Sequence, residues 1–292
     1  MIDGFLNVDK PAGLTSHDVV ARIRRVAGQK RVGHGGTLDP AATGVLPIGL
    51  GQATRLLEFL VEGRKRYRAV VRLGLTTTTD DAEGAVVAER PVPVLEEAEL
   101  HAILEQFVGA VDQVPPIYSA IQVAGRRLYD LARAGETPEL APRRVEIDRI
   151  ELLSWCSPLL ELDIVCGKGT YIRALARDVG ARLGCGAHLL ALRRTAVGAL
   201  SLETAIALDR LLEAPQTLAG HVLPPGVAVA HLPRVDLDAA VAQRLRHGLP
   251  VDIPAQASTD LIMAGFGSSG ELVALVRYDG SCWRPWKVLA SR

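Results

Sequence analysis

Residues 64–74 read RKRYRAVVRLG, and their order decides what kind of fold the chain can have. Arg66, Arg68 and Arg72 alternate with Tyr67, Ala69, Val71 and Leu73, the period of a strand with one face in a core. The pattern predicts a basic outer face and an apolar inner one, with Tyr67 in the inner set. Outward on the N-terminal side, Gly4 to Val8 predicts a short buried strand. Thr15, with Asp18 three residues on, predicts a capping box that opens a helix to about Ala27. Residues 33–44, GHGGTLDPAATG, lack periodicity and predict a loop, and Gln52 to Val61 predicts a helix closed by Gly63.

On the C-terminal side, Glu96 to Phe107 has helical spacing. Ser119 to Val123 predicts a strand, AGRR a turn, and Leu128 to Ala134 a short helix, followed by a Pro-rich, mobile GETPELAPRR. Asp80 and Asp81 stand in TTTTDDAEG and read as turn residues. Leu160, Leu162, Ile164 and Cys166 alternate with Glu161, Asp163 and Val165 up to GKGT, where Thr170 predicts the cap of a helix running to about Leu183. HLLALRRTAVG adds strand, and Leu223 to Gly226 predicts a linker. The remaining short strands predict a small β-barrel-like domain. Strands and helices mixed without strict βαβ alternation give an α+β class.

At 292 residues and 48% hydrophobic, the chain fits one large domain and a smaller one, at about 150 residues per domain. Four cysteines, widely spaced and without a CxxC pair, argue against disulfides and a zinc ribbon and for a reducing compartment. No run of 18 apolar residues occurs, so the expected location is the cytoplasm. Net charge is zero, but 11 basic residues face three acidic ones from Arg22 to Arg72, and 17 acidic residues face seven arginines from Leu73 to Asp163. Such segregation suits phosphate binding, although solvated faces alone produce it too. GLGQATR has Thr54 where a dinucleotide loop needs its third glycine, and P-loop, GxSxG and HExxH signatures are missing. Cys185 and His188 lack further ligands at metal spacing and read as structural.

Five segments then carry the functional reading: DKPAGLTSHDVV (9–20), GHGGTLDPAATGVLPIGLGQATR (33–55), KRYRAVVRLG (65–74), PPIYSAIQVAGRRLYDLARAG (115–135) and CGKGTYIRALARDVGARLGCGAHLLALRRTAVG (166–198). In this order they resemble the TruB family of tRNA pseudouridine synthases. One departure is visible: the family usually has threonine where Gly35 follows His34. The resemblance implies a mixed, largely antiparallel catalytic domain over 1–225, with a thumb-like insertion at about 116–145. It also implies, more weakly, a PUA-like RNA-binding domain over 230–292.

The resemblance further assigns roles. Asp39 is the catalytic carboxylate; taken alone, an aspartate before Pro40 reads as a turn residue. Arg173 would pair with Asp39 and keep it ionised where burial would otherwise protonate it. Tyr67 would stack on the target base, and alone reads equally as a core tyrosine. His34 would enter the RNA loop in place of the flipped base, and Tyr171 and Leu192 would line the uracil pocket. Lys10 and Pro11 would brace the active-site loop, and Arg126, Arg127, Arg143 and Arg144 would meet phosphates from an insertion mobile without RNA. The implied substrate is uridine 55 in the TΨC loop of tRNA, reached by base flipping. The isomerisation needs no metal or organic cofactor, and the default expectation is a monomer without an obligate protein partner. A non-catalytic RNA-binding protein of this architecture would have lost Asp39, Tyr67 or Arg173, and a glycosidase would need a second catalytic carboxylate.

Overall fold

The computed structural model describes residues 2–119, 140–253 and 258–289, and the backbone alone at 122–123 and 126–127. The chain divides into two compact units: residues 1–40, 45–62 and 197–292, and residues 41–44 and 63–196.

The first unit opens with the buried strand β1 (Gly4–Lys10) and the helix α1 (Ser16–Val26). The Asp18 N–H donates to the Thr15 hydroxyl at 3.0 Å and the Thr15 N–H to the Asp18 carboxylate at 2.9 Å, closing the predicted capping box. Val19, Val20 and Ile23 fill the buried face of α1. Strands β2 (Val32–His34) and β3 (Thr43–Leu50) pair antiparallel, so the predicted loop is shorter than 33–44 and His34 ends a strand. A 3-10 turn over Gly51–Leu56 continues into α2 (Leu57–Glu62), where the sequence predicts one helix.

The second unit contains β4 (Lys65–Leu73), whose burial alternates as predicted with Tyr67 inside. It continues through β5 (Leu75–Thr77), β6 (Val86–Glu89), α3 (Glu97–Glu105), β7 (Gly109–Gln113), β8 (Gln122–Val123) and β9 (Arg126–Arg127). Then come β10 (Arg143–Cys156), β11 (Leu159–Cys166), α4 (Ile172–Arg182) and β12 (Ala187–Val197). The strands follow the order β12-β4-β11-β10-β7. The pairs β4–β11, β11–β10 and β10–β7 are antiparallel, while Thr43 and Gly44 pair parallel with Arg193 and Arg194. The sequence reading missed β10, the longest strand, because register shifts near Ile147 and Leu152 break its alternation. Tyr67, Leu73, Leu104, Ile164, Ile172 and Leu175 share the core of this unit. Helix α4 lies close on the strand start at Ala187: a Cβ added at Gly180 would stand 2.2 Å from the Ala187 nitrogen.

Two expectations change here. The basic outer face of β4 is neutralised only in part: Arg66 bonds the buried Asp163 carboxylate at 2.8 Å, which Arg149 also bonds at 2.8 Å, and Arg64, just before the strand, pairs with Asp148 at 2.8 Å. Arg143 and Arg144 open the strand β10 instead of ending a mobile segment, and Arg126 and Arg127 form a strand instead of a turn. The predicted helix at 128–134 and most of the insertion at 116–145 lie outside the described residues, as do the side chains of Arg126 and Arg127.

The chain returns to the first unit with β13 (Leu200–Ser201), β14 (Ile206–Ala207), parallel to β1, and α5 (Leu208–Glu213). The predicted linker is fastened to β1, since Phe5 and Leu223 exchange backbone hydrogen bonds at 2.9 and 2.7 Å. After it come β15 (Arg234–Asp236), α6 (Ala239–Arg246), β16 (Ile262–Phe266), β17 (Leu272–Tyr278) and β18 (Trp283–Val288). Their strands form a four-stranded sheet in chain order, without barrel closure among the described residues.

Candidate active site

In the first unit the site residues gather around one loop. Asp39 is half-buried between Leu38, which is buried, and Pro40. The chain is pinned on both sides of it. The Ser16 hydroxyl accepts from the Leu38 N–H at 2.9 Å and donates to the Leu38 carbonyl at 3.1 Å. The Pro40 carbonyl accepts from the Gly13 N–H at 2.9 Å and from the Lys10 ammonium at 3.1 Å. Lys10 is fully buried, and its ammonium also donates to the carbonyls of Pro11 and Leu14 at 2.9 and 2.7 Å. A lysine has three donors, and these three carbonyls take one each. Pro11 thus enters the site through its carbonyl.

His34 stands at the start of the same loop, its ring centroid 5.3 Å from that of His17. The sequence reading overlooked His17, which belongs to the first turn of α1. At Gly35 the N–H donates to the Pro47 carbonyl at 2.8 Å, and an added Cβ would meet only ordinary contacts, the nearest at 3.4 Å. The backbone bond at this position is therefore in place with glycine, and a β-carbon would fit here without a clash.

In the second unit the site residues surround the N-terminus of α4. Tyr67, which is 7% exposed, belongs to the core cluster against which Leu192 packs. Tyr171 is the N-cap of α4, a correction to the expectation that Thr170 caps it. The Gln113 amide does the capping work: it accepts from the Tyr171 N–H at 2.9 Å and donates to the Tyr171 carbonyl at 3.1 Å. Gln113 is itself buried, at the end of β7.

Arg173 follows in the first turn of α4 and is 6% exposed. Its guanidinium pairs with Asp81 at 3.3 Å and donates to the carbonyls of Thr79 at 3.2 Å and Tyr118 at 2.8 Å. One helical turn on, Arg177 pairs with Asp80 at 3.0 Å and donates to the Val114 carbonyl at 2.8 Å. Asp80 and Asp81 are therefore partners of two helix arginines, not only the turn residues the sequence predicts. Turn chemistry still places them: the Thr79 hydroxyl bonds the Asp81 carboxylate, and Asp80 has a left-handed φ of 59°. Burial pushes the Asp80 carboxyl above its ordinary range, partly offset by Arg177. No single residue type signals these pairs, because their members are 92 to 97 positions apart.

The phosphate-binding expectation has a thinner basis. Arg143 and Arg144 are exposed on β10, and Arg144 pairs with the equally exposed Asp112 at 3.2 Å. Such surface pairs contribute about 0–1 kcal/mol and leave the arginine ready to exchange partners. Cys185 and His188 are both buried, with His188 Nδ1 2.9 Å from the Leu75 carbonyl, in keeping with a structural role. No cluster of metal-ligating side chains occurs among the described residues.

Three family models match consecutive parts of the chain. The TruB family pseudouridylate synthase N-terminal domain matches residues 24–172, the tRNA pseudouridylate synthase B C-terminal domain 173–230, and the tRNA pseudouridine synthase II C-terminal domain 232–290. The tRNA pseudouridine synthase B of Gloeobacter violaceus is 51% identical over 247 residues, covering 83% of this chain and 84% of that protein. The tRNA pseudouridine synthase B of Ralstonia nicotianae is 44% identical over 299 residues, covering 99% and 94%. Among solved structures, an H/ACA RNP bound to a substrate RNA containing 2′-deoxyuridine has a chain 27% identical, with TM-score 0.78, covering 99% of this chain and 86% of that one. A Cbf5-Nop10-Gar1 complex has a chain 28% identical, with TM-score 0.76, covering 99% and 84%.

Proposed function

The chain belongs to the TruB family of pseudouridylate synthases, and from that premise we propose that it acts on uridine 55 in the TΨC loop of tRNA, by base flipping and with Asp39 as the catalytic carboxylate. The enzyme is an isomerase that converts uridine in tRNA to pseudouridine. In that conversion the bond from ribose carbon 1′ to uracil nitrogen 1 breaks, and carbon 1′ bonds to carbon 5. Carbon 5 gives up its proton and nitrogen 1 gains one, so no electrons are exchanged and no group is lost.

The observation that carries the role of Asp39 is the pinning of its neighbours. With Leu38 and Pro40 fixed through the main chain, the carboxylate starts from a set backbone position and loses little freedom on reaching the sugar–base junction. Arg173 is the cation that favours the ionised form of Asp39 when both meet the nucleotide, and its own aim is fixed by Asp81 and two carbonyls. Tyr67 offers a ring for stacking, worth about 1–3 kcal/mol per base. Tyr171 and Leu192 line the uracil pocket, and His34 takes the space the flipped base leaves. Lys10 and Pro11 act by bracing the loop, while Arg126, Arg127, Arg143 and Arg144 meet phosphates. The protein works in the cytoplasm as a monomer, without cofactor or metal.

The test is tritium release from tRNA labelled at uracil carbon 5. Wild type releases the label; Asp39→Asn binds the tRNA and releases none. Turnover by that variant would overturn the mechanism, and label released from a position other than 55 would overturn the site.

A further inference from the structure

Arg173 and Arg177 project from consecutive turns of α4 and make matching sets of bonds. Each pairs with one aspartate of the 79–81 turn, and each gives its other terminal nitrogen to a carbonyl of the segment 114–118. Gln113 adds a third tie, from the start of that segment to the backbone of Tyr171. The segment is the root of the insertion, and its carbonyl at Tyr118 is one of the groups that aim Arg173. Asp80 is held from a second side, since its own carbonyl accepts from the Leu189 N–H at 3.0 Å, on β12.

We propose that Arg177 and Asp80 form a positioning pair for the isomerisation. They clamp the 79–81 turn and the root of the insertion to α4, and so fix the guanidinium of Arg173 without touching the nucleotide. The proposal rests on the reading that Arg173 acts beside Asp39. Arg177 also bonds the neighbouring Asp178 carboxylate at 2.9 Å, so its three nitrogens are shared among two carboxylates and one carbonyl. A guanidinium supplies that planar fork and a lysine ammonium does not. Removing either partner loosens the frame by a fraction of an ångström, enough to slow a reaction that depends on alignment.

The experiment measures single-turnover tritium release at saturating full-length enzyme, and tRNA affinity separately, for Arg177→Gln, Arg177→Lys, Asp80→Asn and the double variant Asp80→Asn with Arg177→Gln. Expected is a fall of roughly 10- to 100-fold in the rate at saturation with affinity within about twofold, since the clamp acts on the chemical step. Arg177→Lys recovers part of the rate. The double variant falls no further than the slower single, because the two act as one unit. A folded single variant that turns over at the wild-type rate would overturn the pair, as would losses that appear in affinity alone or simply multiply in the double variant. Should Arg177→Gln unfold, shown by its thermal midpoint, the isosteric Asp80→Asn decides. Wild-type release in the same assay tests the underlying reading independently, because the pair is judged only by the ratio to wild type.

Discussion

The loop bearing Asp39 and the helix bearing Arg173 are both held firmly, but by different chemistry. Around Asp39 the holding groups are main-chain carbonyls and an N–H, gripped by the Lys10 ammonium, the Ser16 hydroxyl and the Gly13 N–H. Around Arg173 carboxylates join the carbonyls, with Asp81 and Asp80 each facing a guanidinium. Main-chain ties leave the loop the same wherever the carboxylates titrate. Ion pairs make the helix frame answerable to charge, and partly buried ones respond strongly because a lone charge there is expensive.

The largest effect that would sharpen this contrast belongs to Lys10. Lys10→Met takes a donor from three part-buried carbonyls at once, leaving that of Pro40 only the Gly13 N–H, and should cost about 3 kcal/mol of stability, measured by urea unfolding. A loss below about 1 kcal/mol would show that the loop is held by other means. Ser16→Ala should come next, at about 1–3 kcal/mol, since both backbone groups of the buried Leu38 lose their partner. Turnover should fall with it, and unchanged activity would separate the tie from the chemistry. Asp81→Asn should follow, with tritium release slowed by about tenfold and a drop in unfolding midpoint, because the amide keeps the shape but takes a charge from beside the buried Arg173. A lower midpoint with unchanged release at saturation would make the pair structural.

The smallest effect is a pH dependence. The Asp80 carboxyl is held above its ordinary value of 3.8, chiefly by burial. The native state therefore holds that proton more tightly than the unfolded chain does. The associated stability is full below 3.8 and is lost as pH rises through the raised value. Wild type should lose stability relative to Asp80→Asn across that acidic window, and parallel curves between about pH 3 and 7 would refute it.

How far these features could be read from the sequence follows the same division. The strand carrying Tyr67, the Thr15–Asp18 capping box and the helix carrying Arg173 are local patterns, and the sequence displays each of them. The motif around Asp39 marks the loop proposed as catalytic, and Lys10 falls within a motif of its own. Asp80, Asp81 and Gln113 could not be found this way, since their partners lie 58 to 97 residues off and pairing across a fold leaves no local period. Strand β10 was lost for a second reason, its bulges, and the partner of Arg66 for a third. Charge can be summed along a chain, but only the neighbouring strand reveals that Asp163 answers Arg66.

One of the smallest residues sets a distance for all of this. Gly180 lies on α4, seven positions beyond Arg173, where its missing side chain lets the helix settle against the backbone of Gly186 and Ala187. Even a methyl group there would act as a wedge, lifting both arginines together from the carboxylates they meet. The reach of those guanidinium groups is thus calibrated by a missing side chain two helical turns from Arg173 and less than one from Arg177, and a survey of side-chain contacts alone would pass it over.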